Sequence, residues 1–387
     1  MLHRRKSLSD RLLNPSFGGQ FLSRCLWTKS SRGYGGDVCR KSKAGKHREH
    51  DEEEEGRVRL LKSRGQHLLT NPRVLDSIVR TSDIKPDDTV LEIGPGTGNL
   101  TLKLLEAARR VVAVEIDNRM VEILRKRAAE RGFQDRLNIV SGDALKTKFP
   151  EFNLVVANIP YGISSPLLAK LVYGVNVNPF RSATLLLQKE FARRLLAKPG
   201  DSEFNRLAVN MKLVAEVEFV MDVSKRDFVP CPKVDSSVVK IHPKSEIPDV
   251  DLEEWWAFTR TCFSKKTKTL GATLKQKRKL MELMKLSKAE VFSDDGNLEC
   301  RDDGSDGDER SSSDSSLSSG TGIGFFRTKI VRILESGGFL EKRPSKLSND
   351  ELLQLLSLLN GGGIYFHDGT KQKDTCEAAF AACDDLL

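Results

Sequence analysis

The sequence lacks the patterns that mark several protein classes. No apolar run approaches the roughly 18 residues needed to span a bilayer, so no membrane association is expected. Cysteine is sparse and scattered: Cys25, Cys39, Cys231, Cys262, Cys300, Cys376 and Cys383 form no C-x-x-C pair. Only six histidines accompany them. Neither a disulfide framework nor a metal site is expected, and a reducing compartment is. The hydrophobic fraction is a low 39% beside 30% charged residues, which leaves a real core together with long polar segments. No internal repeat is found.

What the chain has in excess is positive charge. A formal net charge of +9 favours a polyanionic partner, nucleic acid before acidic membrane. At 387 residues the chain is too long for one ordinary domain, and two domains with flexible segments are expected.

Residues 1–56 read as a targeting segment and linker, largely disordered. Arg4, Arg5, Lys6, Arg11, Arg24, Lys29, Arg32 and Arg40 are spread among serines and leucines, with only Asp10 and Asp37 acidic before Glu49. That is a transit-peptide composition. A basic arm that grips RNA or directs nuclear import has the same composition. An acidic run, residues 51–55, ends the segment.

Residues 57–247 alternate strand and helix patterns. Strands are expected at 89–93, 111–116, 137–140, 152–157 and 183–188, with helices at 99–108, 119–131 and 166–173. Asn71 before Pro72 marks an earlier helix start. This spacing means an α/β fold, a parallel Rossmann-like sheet covered on both faces. Two late strands, 217–223 and 237–242, are expected to close it as an antiparallel edge pair. Residues 248–366 read as a smaller all-helical domain. Its basic stretch runs from Lys265 to Lys279, and a low-complexity acidic insertion occupies 293–322. A capping box, Ser348 with Glu351, precedes a leucine-rich helix. Residues 367–387 are expected to be a loosely ordered tail.

Glu92-Ile-Gly-Pro-Gly-Thr-Gly98 lies between a strand and a helix. Glycines there let the backbone pass close to a ligand. Asn99 stands where a dinucleotide fold has its third glycine. The second strand ends in Glu115, 21 residues after Gly94, the distance at which an acid contacts a ribose hydroxyl pair. The third runs into Gly142-Asp143, whose carboxylate can accept an adenine amino group. The three features lie in register at strand carboxyl ends, where ligands of open parallel sheets bind. NAD and S-adenosylmethionine both carry such a nucleoside. The glycine spacing disfavours NAD, and the fourth strand decides against it. It leads into Asn158-Ile-Pro-Tyr161, which has no hydride or acid–base chemistry. It has what an exocyclic amine needs to become a nucleophile. Asn158 and a main-chain carbonyl such as that of Pro160 offer acceptors for its N–H groups. Tyr161 offers a stacking face. A second wall is expected from Phe228, at the head of a Pro-rich loop, although a buried core Phe fits that loop equally well.

These motifs in this order resemble the rRNA adenine N6,N6-dimethyltransferase family of small-subunit biogenesis, in its eukaryotic-type branch. The resemblance covers residues 63–366, apart from the insertion. It includes Gly65-Gln-His-Leu-Leu69, Val114-Glu-Ile-Asp117, Ile163-Ser-Ser-Pro166, Gln188-Lys-Glu-Phe191 and the Phe228–Ser237 stretch. It implies that His67, Leu69, Gly94, Glu115, Asp143 and Asn158 hold S-adenosylmethionine. It implies that Asn158, Pro160, Tyr161 and Phe228 surround the target adenine. The implied activity is dimethylation of two adjacent adenosines in the 3′-terminal hairpin loop of small-subunit rRNA. The implied partner is the pre-ribosomal small subunit, bound by a monomer through the basic helical domain. With the family in view, the N-terminal extension points to a mitochondrial copy; a nuclear or nucleolar enzyme is the alternative. A DNA adenine methyltransferase is disfavoured by Ile159 and the Phe228 loop. A non-catalytic assembly or transcription factor is disfavoured by the complete set of motifs.

Overall fold

The computed structural model describes residues 66–174, 178–291 and 315–367, all within one compact unit. The expected targeting segment, the tail beyond His367 and residues 293–314 of the insertion lie outside the described residues.

The chain enters through a two-residue strand, β1 (Leu68–Leu69), and helix α1 (Pro72–Thr81). The Asn71 side chain accepts the Arg73 N–H at 3.0 Å, the helix cap that the Asn-Pro pair announces. Strand and helix then alternate through β2 (Thr89–Ile93), α2 (Asn99–Ala107), β3 (Arg110–Glu115), α3 (Asn118–Glu130), β4 (Leu137–Ser141), β5 (Leu154–Asn158), α4 (Ser164–Tyr173) and β6 (Ser182–Gln188). Helices α5 (Lys189–Leu196) and α6 (Arg206–Val214) lead to β7 (Ala215–Val223), β8 (Phe228–Val229) and β9 (Ser236–Pro243).

Seven strands form one sheet in the order β4-β3-β2-β5-β6-β9-β7. The first five are parallel, and β9 and β7 add as the antiparallel pair expected at the edge. Strands β2, β5 and β6 sit mid-sheet under helices on both faces, which is why they read as almost unbroken apolar runs. The sequence pattern did not show α5, α6 or the second, two-stranded sheet. There β1 pairs antiparallel with β8, Leu68 opposite Val229 and Leu69 opposite Phe228.

Five helices follow: α7 (Leu252–Phe263), α8 (Leu270–Leu274), α9 (Lys277–Val291), α10 (Ser315–Ser336) and α11 (Asn349–Gly361). The expected capping box of α11 is present, with reciprocal bonds between Ser348 and Glu351. Helix α10 starts inside the stretch expected to be unstructured. The apolar core is continuous across residue 247: Leu213 and Val214 belong to one buried cluster with Trp255, Phe258 and Leu355. Two polar ties cross the same boundary, Thr259 Oγ1 to Asn210 Oδ1 at 3.1 Å and Asn349 Nδ2 to the Val209 carbonyl at 2.9 Å.

Candidate active site

Parallel strands point their carboxyl ends the same way, so β2 to β5 deliver their terminal residues to one rim. A cavity of ≈ 400 Å³ opens there, within the range of small-molecule sites. It is lined by the glycine loop after β2, the acids ending β3 and β4, the turn after β5, and β1.

The glycine loop needs its glycines. Gly94 has φ 66 and Gly96 φ 56, a left-handed backbone that side chains strain. Space demands them too. A Cβ on Gly94 would stand 3.2 Å from Pro160 Cδ, and one on Gly96 would stand 2.8 Å from Leu68 Cδ2. The loop is thus packed between the turn after β5 and β1. Asn99 has its own task in place of a third glycine. Its Nδ2 donates to the Leu69 carbonyl at 2.9 Å, and its Oδ1 accepts from Arg127 at 2.9 Å.

Three acids converge behind this loop. Glu115 accepts the Gly96 N–H at 3.1 Å on one oxygen and the Asp117 N–H at 2.9 Å on the other. Each carboxylate oxygen keeps a lone pair for a ligand hydroxyl. Burial pushes Glu115 above the usual carboxylate range, opposed by those two N–H groups. Asp143 accepts the Leu145 N–H on Oδ1 at 2.9 Å. Glu92 is the most deeply set: it is 2% exposed and its Oε2 has no hydrogen-bond partner. Burial pushes it up to about 8, opposed in part by the Thr101 hydroxyl and helped slightly by the nearby negative charge of Glu115.

The turn after β5 forms the remaining wall. Asn158 closes the strand, and its Nδ2 donates to the His67 carbonyl at 3.2 Å. The Pro160 carbonyl accepts the Ile163 N–H at 3.1 Å, folding residues 161–163 into one 3₁₀ turn. The Tyr161 hydroxyl is tied to Ser236 Oγ at 2.7 Å, which fixes the ring. The His67 ring lies stacked beside it, centroids 6.1 Å apart at 26°. His67 Nδ1 is 2.7 Å from the Pro230 carbonyl. A carbonyl only accepts, so Nδ1 carries a proton and donates it to this bond.

His67, Leu69, Gly94, Glu115, Asp143, Asn158, Pro160 and Tyr161 therefore all line one cavity. Phe228, expected as a second wall for the target base, does not line this cavity. The residue is 2% exposed, packed with Leu69, Leu75 and Val238. Side chains alternate along a strand, and in β8 it is Val229, 55% exposed, that faces outward. The ring that accompanies Tyr161 is His67. Among the lining residues missing from the expected set are Gln66, Glu92 and Ile116. Glu92 was visible as the first residue of its motif. Ile116, an apolar side chain 59% exposed beside Glu115, stands inside the Val114-Glu-Ile-Asp117 motif but was given no role of its own. Among the described residues no cluster of three His, Cys, Asp or Glu could hold a metal ion, and no helix is long and apolar enough to cross a membrane.

The donor set fits one kind of ligand. Two carboxylates at successive strand ends suit the ribose hydroxyls and amino group of an adenosine. A glycine loop with left-handed backbone at Gly94 and Gly96 admits the ligand backbone-close. The orphaned Glu92 oxygen suits a cationic group. A cationic adenosine derivative is what S-adenosylmethionine is. Fold and site together define a Rossmann-like methyltransferase that uses this donor. The chain belongs to the ribosomal RNA adenine dimethylase family, whose model matches residues 58–298. It is 63% identical over 88% of its length to the mitochondrial ribosomal RNA small subunit methyltransferase of Arabidopsis thaliana, covering 87% of that protein. A second Arabidopsis ribosomal RNA small subunit methyltransferase is 43% identical, over 86% of this chain and 99% of its own. The crystal structure of a dimethyladenosine transferase from Plasmodium falciparum superposes with a TM-score of 0.65 at 39% identity, over 78% of this chain and all of that one.

Proposed function

We propose that this chain dimethylates N6 of two adjacent adenosines in the 3′-terminal hairpin loop of small-subunit rRNA, in the mitochondrion. Its partner is the pre-ribosomal small subunit, which it meets as a monomer. The compartment and the subunit follow the printed name of the 63% identical Arabidopsis protein. The observation that carries the chemistry is the orientation of Asn158. Its amide N–H is taken by the His67 carbonyl, so Oδ1 is left to accept from a substrate amine.

An exocyclic adenine amine is a weak nucleophile because its lone pair is delocalised into the ring. Acceptance of an amine N–H by Asn158 Oδ1 favours a pyramidal nitrogen with that lone pair free. The Pro160 carbonyl keeps a second lone pair beyond its bond to Ile163 and can take another N–H. Tyr161, held by Ser236, supplies a stacking face that sets the plane of the base. S-adenosylmethionine supplies an activated methyl group on a sulfonium. Because that group needs no further activation, the residues act chiefly by alignment. The surplus proton leaves to water. The target base must be unpaired or flipped to reach the turn, since a duplex hides its amine. After the first transfer one N–H remains, and Asn158 Oδ1 is enough to hold it.

The experiment is methylation of a synthetic rRNA hairpin followed by nucleoside mass spectrometry. N6,N6-dimethyladenosine at two adjacent positions is expected. RNA binding without any methylated product would refute the enzymatic reading.

A further inference from the structure

Helix α4 begins just past the Tyr161 turn and carries Lys170 six residues beyond its first residue, Ser164. Its ammonium does not reach for a carboxylate. Nζ donates to three main-chain carbonyls of the loop after β4: Ala144 at 2.7 Å, Leu145 at 3.1 Å and Thr147 at 2.5 Å. An ammonium has three N–H donors, so this one is fully used. Nζ also lies over the Phe149 ring, 4.2 Å from its centroid.

The same loop spends its own donors on Asp143. The Lys146 and Thr147 N–H groups and the Thr147 hydroxyl all reach the Asp143 carbonyl, at 3.0, 2.9 and 2.8 Å. The Leu145 N–H takes Asp143 Oδ1. Donors of the turn thus face inward onto Asp143, and three carbonyls face outward onto one cation. Without that cation three carbonyl dipoles would converge with no donor between them, and the turn would open. Burial lowers Lys170, and the charge of Asp143 opposes that shift.

We propose that Lys170 is a positioning residue for the methyl donor, fixing the 143–147 turn so that the Asp143 carboxylate meets the donor's adenine amino group. One helix then serves both substrates: its start follows the turn that presents the target base, and Lys170 holds the loop that reads the donor. This inference rests on the reading of Asp143 as acceptor of that amino group.

The test is calorimetric binding of two ligands to the full chain. One is S-adenosylhomocysteine. The other is its purine analogue, with hydrogen in place of the 6-amino group. The wild type is expected to prefer the amino ligand by ~10- to 100-fold, the worth of one hydrogen bond to a charged group. Asp143→Ala should reduce that ratio to within ~2-fold. Lys170→Met should reduce it similarly by weakening only the amino ligand, and Lys170→Arg should restore much of it. Thermal melting establishes that each variant is folded; should Lys170→Met fail, Lys170→Gln, with two donors, should show an intermediate ratio. If Lys170→Met keeps the wild-type ratio, or loses both affinities in parallel, the positioning role is overturned. If the wild type itself shows no preference, the Asp143 reading falls and takes the inference with it. The Asp143→Ala control separates that case from the first.

Discussion

The side-chain amide of Asn158 donates to the main-chain carbonyl of His67 across 91 positions of sequence, at 3.2 Å. This bond decides what Asn158 can do. An amide offers two donors and one acceptor oxygen, and the structure commits one of the donors to the protein. It also joins the end of β5 to the segment that runs over the donor cavity, so the two halves of the site are set by one contact. Asn158→Ala should lower the transfer rate about 100-fold or more, the usual cost of removing one aligned polar group. The fold should persist. Single-turnover methylation and thermal melting, measured together, check both statements.

Tyr161 separates stacking from hydrogen bonding. Tyr161→Phe keeps the ring and loses the bond to Ser236, so it should retain most activity. Tyr161→Ala loses the platform, worth about 1–3 kcal/mol per stacked base. The expected effect is a ~10- to 100-fold loss of kcat/KM toward RNA. Its affinity for S-adenosylhomocysteine should change far less. Equal losses in both variants would mean that the ring itself is not what the base uses.

Phe228 distinguishes wall from core. It is buried among Leu69, Leu75 and Val238, not along the cavity. Phe228→Ala should therefore cost about 3–5 kcal/mol of stability, as large-to-small core changes do. Phe228→Leu should keep most of the stability and, at a temperature where it is folded, most of the methyl transfer. Loss of transfer in a well-folded Phe228→Leu protein would show that the ring moves to the base.

Glu92 gives a pH signature in the ligand-free protein. Burial pushes its carboxyl up to about 8 in the folded protein, against 4.5 for an unburied glutamate. A raised acid pKa means that the folded state holds the proton while the unfolded chain releases it. Stability from this group is therefore present below about 4.5 and is lost as pH rises towards 8. The slope contributed is at most about 1.4 kcal/mol per pH unit. Glu92→Gln should flatten the decline across that window, as urea midpoints at successive pH values will show. Saturating S-adenosylmethionine should flatten it in the wild type, because a cation beside Glu92 favours the ionised form.

Much of the fold was legible because its signals were local. Strand β2 was bounded by two aspartates and a glycine, so residues 89–93 were read as they stand. Glu115 and Asp143 were found because parallel strands bring their carboxyl ends to one rim, and sequence order alone then groups them. What was hidden is what long-range pairing creates. Strands β1 and β8 are two residues each, too short for any periodicity, and their partners lie about 160 positions apart in sequence. That ribbon decides which way Phe228 faces and brings His67 to Tyr161. Lys170 looked like any lysine on a helix; only the three carbonyls of a loop 23 to 26 positions away give it a role. The orientation of the Asn158 amide was invisible for the same reason.

The central claim is tested most directly by primer extension on mitochondrial small-subunit rRNA from cells with and without this chain. Two methyl groups on N6 block the pairing edge of adenine and halt reverse transcriptase. The account predicts arrest at two adjacent adenosines of the 3′-terminal hairpin loop, lost without the chain and restored by the wild type but not by Asn158→Ala. Arrest that persists unchanged without the chain would contradict it.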